Sequence, residues 1–273
     1  VRIGDVTDAA SVRADAFAGE SFDAVVSCMA SRSGAPADAW AIDDTAHRIV
    51  LEAAMEHGVR HWLQLSAICL QKPRLEFQRA KLAFERELMA SALGWVIVRP
   101  TAFFKSLSGQ LGRVRAGKPF LVFGDGTLTP CKPIGEADLA SFMVDCLSNP
   151  ECHRRIWPIG GPGPALTPLE HGRLLSAAVG RPLRVRHVPV GLLDAIVALL
   201  AALGRVWPRM AEKAELARIG RYYATESMLV WNDERQRYDA DATPEHGQDT
   251  LGAYYERLAC GIERDERGEH ALF

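Results

Sequence analysis

Three short apolar runs alternate with segments whose apolar residues recur at helical spacing, and this alternation constrains the fold more than any other feature. Asp23-Ala-Val-Val-Ser-Cys-Met-Ala has strand length and suits a strand buried on both faces. From Asp38 to His57 the apolar residues Trp40, Ile42, Ala46, Ile49, Val50, Ala53 and Ala54 follow a helical period, and Gly58 closes that helix as a left-handed cap. Trp62 to Leu65 reads as a second buried strand, ending at Ser66. After a loop, a helix carries Phe77 and Lys81 and runs to about Ala92. Gly94 breaks it, Trp95-Val-Ile-Val-Arg99 is a third strand, and Pro100 closes that strand. Residues 1–8 read as a short strand ending in Gly4-Asp5-Val6, with Thr7-Asp8 capping the next helix. The repeated alternation predicts an α/β fold with a Rossmann-type, doubly wound parallel sheet.

Beyond Pro100 the pattern changes. Phe103, Phe104, Leu107 and Leu111 form an amphipathic segment, and Lys118 to Gly126 reads as a short strand and turn. A helix is expected over 134–147, strands over 155–159 and 183–188, and a helix from Thr167, where N-cap, N1 proline and N3 glutamate stand in order. The expected organisation is a nucleotide-binding domain over 1–125, to which the strand at 155–159 returns, and a smaller C-terminal substrate-binding lobe over 126–273. Val190 to Trp207 is the most apolar stretch. It holds Asp194, Gly204 and Arg205, and falls short of the roughly 20 uninterrupted apolar residues that span a bilayer. The favoured expectation there is a buried or pocket-lining helix, ahead of contact with a membrane surface. A charged helix over 209–221, an irregular segment at 239–244, a final amphipathic helix over 250–260 and a charged, frayed end complete the reading.

The 32 basic and 34 acidic side chains give a net charge of −2, which points away from nucleic acid or another polyanion as partner. The six cysteines show no C-x-x-C pair and read as reduced thiols in a cytosol-like compartment. The eight histidines have no metal-ligand spacing, so no protein-bound metal is expected. No G-x-S-x-G elbow of a serine hydrolase is present. Gly124-Asp-Gly and Gly160-Gly-Pro-Gly read as turns, since neither joins a buried strand to a long helix as a phosphate-binding loop does. No leader is visible, and Val1 looks like the middle of a motif whose earlier part is expected to lie outside this chain.

In an open parallel sheet the ligand lies at the carboxyl ends of the strands. That rule makes Ser66 a candidate for substrate or cofactor contact, against a plain turn-capping role. Phe77 and Lys81, four residues apart, share one helix face towards it. A surface position is the default for Lys81 and a core position for Phe77. Asp5, beside Val6, can accept from an adenine amino group or merely cap a helix. Ala30, Ser31 and Arg32 stand where a strand ends, beside any bound dinucleotide, and Arg32 suits a phosphate or plain solvent equally.

The segment from Ser66 to Phe77-x-x-x-Lys81, followed by Arg99-Pro-Thr-Ala-Phe-Phe-Lys-Ser-Leu, resembles the atypical short-chain dehydrogenase/reductases of the NmrA-like, isoflavone-reductase-like kind. Leu65-Ser-Ala-Ile-Cys, Phe123-Gly-Asp-Gly, Cys131-Lys-Pro-Ile, Ile159-Gly-Gly-Pro-Gly and Arg218-Ile-Gly-Arg-Tyr-Tyr-Ala-Thr-Glu-Ser-Met further resemble the NADPH-dependent divinyl chlorophyllide a 8-vinyl reductases. The resemblance covers residues 1 to about 260. It implies NADPH as cofactor, contacted by Asp5, Val6, Ala30, Ser31, Arg32, Lys81, Pro100, Thr101 and Phe103. It implies a Mg-bearing tetrapyrrole substrate met by Phe77, Phe104, Tyr222 and Tyr223, with Lys81, Ser66 and Phe77 at the reacting centre. It places such a protein in the cytoplasm of a phototrophic bacterium, or in a chloroplast, and is compatible with peripheral membrane contact. Two departures stand out. The family's glycine-rich first strand–loop–helix is absent here, so the preference for NADPH comes from resemblance alone. The superfamily's Tyr-x-x-x-Lys reads Phe77-x-x-x-Lys81, which removes the hydroxyl that protonates an alkoxide and suits reduction of a carbon–carbon double bond. A dinucleotide sensor without chemistry and a pigment carrier remain the alternative functions.

Overall fold

The computed structural model describes residues 1–264, and the charged end expected to fray lies from residue 265 outside the described residues. The chain divides into two compact units, one of Val1–Arg99 with Met143–Trp157 and one of Pro100–Phe142 with the residues from Pro158 onward. This division falls after Arg99, whereas the expected domain boundary lay at 125.

Strands β1 (Ala24–Ser27), β2 (His61–Leu65), β3 (Gly94–Pro100) and, after β4 (Phe120–Phe123) of the second unit, β5 (Arg155–Ile159) define the first sheet. Its strand order is β1-β2-β3-β5. β1 runs parallel to β2 and β2 parallel to β3, with His61 opposite Gly94 and Leu65 opposite Val98. Central position explains why Trp62, Leu63, Val96 and Ile97 are fully buried. β1 departs from the expected two-faced burial. It is shorter than the apolar run that encodes it and ends the sheet among the described strands, so Val26 stays 51% exposed.

The helix α1 (His47–Glu56) continues a helical run that begins with Pro36–Ala39 and a wider, π-type stretch Trp40–Ala46. Gly58 caps it at φ 74°, and the Val59 amide reaches back to the Ala54 carbonyl at 3.0 Å. The inward stripe is Ala39, Asp43, Ala46, His47, Leu51 and Ala54. Trp40, expected on that stripe, is exposed, and its indole donates to Glu76. The helix α2 (Glu76–Ala90) starts where the Gln78 side chain accepts from the Leu75 and Arg74 amides at 2.9 and 2.6 Å, half of a capping box. It stops at Ser91, whose hydroxyl donates to the Leu88 carbonyl, before Gly94 opens β3. Phe84 and Leu88 of α2 pack with Trp62 and Ile97 of the sheet in the unit's hydrophobic core. Residues 1–8 form no strand. The Asp5 carboxylate accepts from the Thr7 amide and hydroxyl at 2.8 and 2.6 Å, and this local turn outcompetes extension.

In the second unit β4 pairs in parallel with β6 (Val185–Val188). Helix α3 (Glu136–Ser148) leads back to the first unit, and α4 (Pro168–Ala178) begins with the expected capping box of Thr167 and Glu170. Gly172 lets α4 approach β4, since a Cβ there would stand 2.8 Å from the Phe120 ring. Gly161 likewise permits a backbone crossing, as its Cβ would meet the Pro133 carbonyl oxygen. The helices α5 (Val190–Gly204) and α6 (Pro208–Thr225) pack along each other and are joined by an Arg221–Asp194 ion pair. A β7–β8 hairpin (Val230–Asn232, Arg237–Asp239) and α7 (Leu251–Ala259) follow. Of the favoured expectation of a buried or pocket-lining helix, α5 overturns the buried form. None of its residues is buried, because α6 covers one side only, and Leu192 and Leu199 are 52% and 61% exposed. No helix of the described residues is long and apolar enough to cross a membrane.

Among the described residues each unit buries one neutral histidine. His47 donates from Nδ1 to the Ile42 carbonyl and accepts at Nε2 from the Gln64 amide, while Gln64 accepts from the Trp62 indole. Burial pushes the His47 pKa down to about 4, and burial does the same to His171, whose Nε2 lies 3.8 Å from the Cys131 sulfur. A native pKa below the unfolded value of about 6.5 gives stability that is complete above pH 6.5 and is lost as the pH falls towards 4. Denaturant titrations at pH 7 and pH 5 should show each histidine contributing a loss of about 2 kcal/mol, and His47→Gln should flatten that dependence by a similar amount. An unchanged slope in the variant would show that His47 does not titrate with unfolding.

Candidate functional site

The first unit gathers its polar side chains where β1 and β2 end. Asp43, on the inward stripe of the wide helical stretch, has no exposed side-chain surface. Its carboxylate accepts from the Lys81 ammonium at 2.8 Å, from the Ser31 hydroxyl at 2.7 Å and from the Ser31 amide at 3.2 Å. A carboxylate removed from water needs this set of donors, since an unpaired buried charge is strongly destabilising. Lys81 stands on α2 with 12% of its side chain exposed. Phe77, one turn earlier, is half-buried and shares that face.

Two of the residues expected beside a dinucleotide, Ser31 and Lys81, are therefore brought together, through an acid that the sequence reading passed over. Ser66, expected to face the same site as Lys81, is committed to a different acid. Ser66 is buried, and its hydroxyl donates to Glu85 at 2.6 Å. Glu85 also takes the Arg99 guanidinium, with Nε at 3.2 Å. Ala30 and Arg32 are exposed at the end of the β1 loop. Asp5 and Val6 are exposed, and hydrogen bonds from Thr7 hold the Asp5 carboxyl below its ordinary pKa.

The other expected residues lie in the second unit. Pro100 is buried and Phe103 half-buried, while the buried Thr101 hydroxyl donates to the Lys132 carbonyl. Phe104 packs against Tyr254, with ring centroids 5.4 Å apart. It lines a cavity of about 210 Å³ shared with Lys105, Glu136, Asp249 and Arg257. That is below the roughly 300 Å³ at which small-molecule pockets begin, and the lining is charged where a flat pigment would want apolar walls. Tyr222 is buried and Tyr223 half-buried, their rings perpendicular at 5.7 Å.

Asp43 carried a signal in the sequence. With Ala39, Ala46, His47 and Leu51 it stands on the stripe that repeats every three to four residues, where an acid requires a buried partner. Glu85 carried a similar one, two turns after Phe77 and one after Lys81 on the same helix.

The chain has counterparts among known proteins. Residues 1–150 match a family described as NAD(P)H-binding. A divinyl chlorophyllide a 8-vinyl-reductase of Oryza sativa subsp. indica is 48% identical over all of this chain and 69% of its own length. The reductase of that name from Zea mays is 45% identical over all of this chain and 70% of its own length. Across four such relatives, all described as chloroplastic, the chain spans 61–70% of their length. Among solved structures, an NADPH-dependent quinone oxidoreductase of Escherichia coli bound to NADPH superposes with a TM-score of 0.64 at 15% identity, over 94% of this chain and 83% of that one. A nucleoside-diphosphate-sugar epimerase of Staphylococcus aureus gives 0.65 at 16% identity over the same shares. These two likenesses establish the Rossmann-type fold. The level and extent of the first identities establish the family: this chain belongs to the divinyl chlorophyllide a 8-vinyl-reductases, built on an NAD(P)H-binding α/β fold.

Proposed function

We propose that this chain uses NADPH to reduce the 8-vinyl group of divinyl chlorophyllide or protochlorophyllide a to an ethyl group, a step of (bacterio)chlorophyll formation. The observation that carries the reading is the identity of 45–49% to relatives bearing that name. The residues present fit the nicotinamide end of the cofactor. An ammonium has three N–H donors; Asp43 takes one of Lys81's, and 12% of the Lys81 side chain stays exposed. Lys81 then holds the nicotinamide ribose, with the β1 loop at Ala30, Ser31 and Arg32 alongside. NADPH supplies a hydride when bound.

The reaction adds a hydride and a proton across the vinyl double bond. Negative charge developing at the substrate spreads into the conjugated macrocycle, and the fixed positive charge of Lys81 favours it. Phe77 offers an apolar wall to the flat ring and no proton. Water or a nearby acid supplies the proton. The exposed stripe of Leu192, Ile196 and Leu199 on α5, followed by Arg205, Val206 and Trp207, suits peripheral contact with an anionic membrane interface. The protein would act in the cytoplasm of a phototrophic bacterium, beside the membrane that receives its product.

Full-length protein mixed with NADPH and divinyl chlorophyllide should shift the Soret band to the blue and yield the ethyl product on chromatography. Pigment bound but not converted would turn the reading towards a carrier, and no pigment binding towards a dinucleotide sensor. At saturating NADPH, Lys81→Met should lower turnover about tenfold or more. Its unfolding free energy must be measured alongside, because stranding Asp43 costs about 3–5 kcal/mol. Wild-type turnover in that variant removes Lys81 from the mechanism. Leu199→Glu should weaken co-sedimentation with anionic vesicles and spare turnover of detergent-dispersed pigment; equal sedimentation would rule out α5 as the contact.

A further inference from the structure

We propose that Asp43 is a positioning residue for the reduction, holding the Lys81 ammonium and the Ser31 loop in one fixed arrangement. This rests on the reading of Lys81 as the group at the nicotinamide ribose. Three observations carry it. First, the Asp43 carboxylate is entirely covered, yet it stands on a helix stripe where alanine or leucine would pack without any desolvation cost. A buried ion pair is a weak stabiliser against such apolar replacements, so stability alone does not account for an acid there. Second, its donors come from two separate elements, Lys81 of α2 and the amide and hydroxyl of Ser31 after β1. Both elements border the carboxyl ends of the parallel strands, where this fold binds its dinucleotide. Third, the neighbouring acids are committed elsewhere. Asp44 pairs with Arg48 at 2.9 Å, and Glu85 takes Ser66 and Arg99. Among the described residues Asp43 is the acid in contact with Lys81.

A long, flexible lysine that must present a point charge to a ribose and a reacting carbon gains from a fixed counter-ion on its far side. The aspartate limits the rotamers of Lys81 and keeps the ammonium from turning into solvent. The wide helical stretch Trp40–Ala46 supplies the placement. Such π-type turns recur at functional sites because the extra residue per turn re-aims the side chains.

A double-mutant cycle in the full-length protein tests this. The variants are Asp43→Asn, Lys81→Met and the two together, each measured for kcat and pigment KM over a range of pigment concentrations at saturating NADPH, and for NADPH affinity by cofactor fluorescence. Asn keeps the size and an acceptor oxygen for Ser31 but removes the charge. The expected result is a fall in kcat of about tenfold for Asp43→Asn, with the pigment KM little changed, and a cost of less than about twofold when the same change is made on Lys81→Met. The double variant should also melt higher than Lys81→Met, because the stranded charge is gone. An equal cost in both backgrounds would falsify the proposal, since a merely structural residue acts independently of Lys81. No cost in either background also overturns it. If Lys81→Met itself turns over like the wild type, the reading of Lys81 fails first, and the role of Asp43 fails with it. Should Asp43→Asn not fold, Ser31→Ala takes its place in the cycle. Losing that one hydroxyl donor should cost kcat about two- to fivefold with Lys81 present and nothing without it; an equal cost in both backgrounds again overturns the idea.

Discussion

The buried pair of Asp43 and Lys81 is the constraint on which the first unit depends. Two opposite charges taken out of water recover their desolvation only when they meet at hydrogen-bonding distance and when the remaining lone pairs are filled. Here the distance is 2.8 Å and Ser31 fills the carboxylate from two donors. The requirement fixes the register of α2. A slip of one residue along that helix would rotate the position of Lys81 by about 100° and leave Asp43 facing a side chain that cannot pair. The loop after β1 is fixed by the same carboxylate, so one acid sets the positions of two elements.

Further polar chains cross the same sheet–helix interface. Trp62, Gln64 and His47 pass hydrogen bonds from β2 to the Ile42 carbonyl, and Ser66, Glu85 and Arg99 tie β2 and β3 to α2. Around them Phe84, Leu88, Leu51 and Ile97 pack without polar atoms. In such a setting each unsatisfied group costs as much as a lost core methyl or more, so the interface tolerates one packing solution. Neutral His47 is part of that solution. Protonation would place an Nε2 hydrogen against the Gln64 amide that donates to it, and a positive charge in a region already holding Lys81.

What the sequence disclosed was local or periodic. β2, β3 and β5, the Gly58 cap and the Thr167–Glu170 capping box all depend on residues within a few positions of one another, and they form where the pattern puts them. The failures share a different cause. The stripe positions of Asp43 and Glu85 hint at burial, but their partners do not show in the local pattern, since Ser31 and Lys81 stand 12 and 38 residues from Asp43, and Arg99 and Ser66 stand 14 and 19 from Glu85. Ser66 reads as a strand-end group open to a substrate or cofactor, and the local pattern does not reveal that Glu85, 19 residues on, takes its hydroxyl. Val190 to Gly204 is apolar all round, which ordinarily signals burial. Nothing in its own residues tells that only α6 would cover it. Residues 1–8 are expected as a short strand ending in Gly4-Asp5-Val6, while the Asp5 side chain bends them into a turn.

These commitments narrow the chemistry. Reduction of a carbonyl needs a proton delivered to oxygen as the hydride arrives, and hydroxyl groups near the lysine are the usual means. At position 77 there is no hydroxyl, and the Ser66 hydroxyl is spent on Glu85 at 2.6 Å. The polar group that remains on that face of α2 is Lys81, a positive charge held from behind by Asp43. A fixed cation beside an apolar wall stabilises charge spread over a conjugated ring and gives little help to an alkoxide that wants a proton. If Lys81 and Phe77 border the reacting carbon, as the proposed function has it, the first unit would serve a double bond in conjugation with a macrocycle better than an alcohol or a ketone.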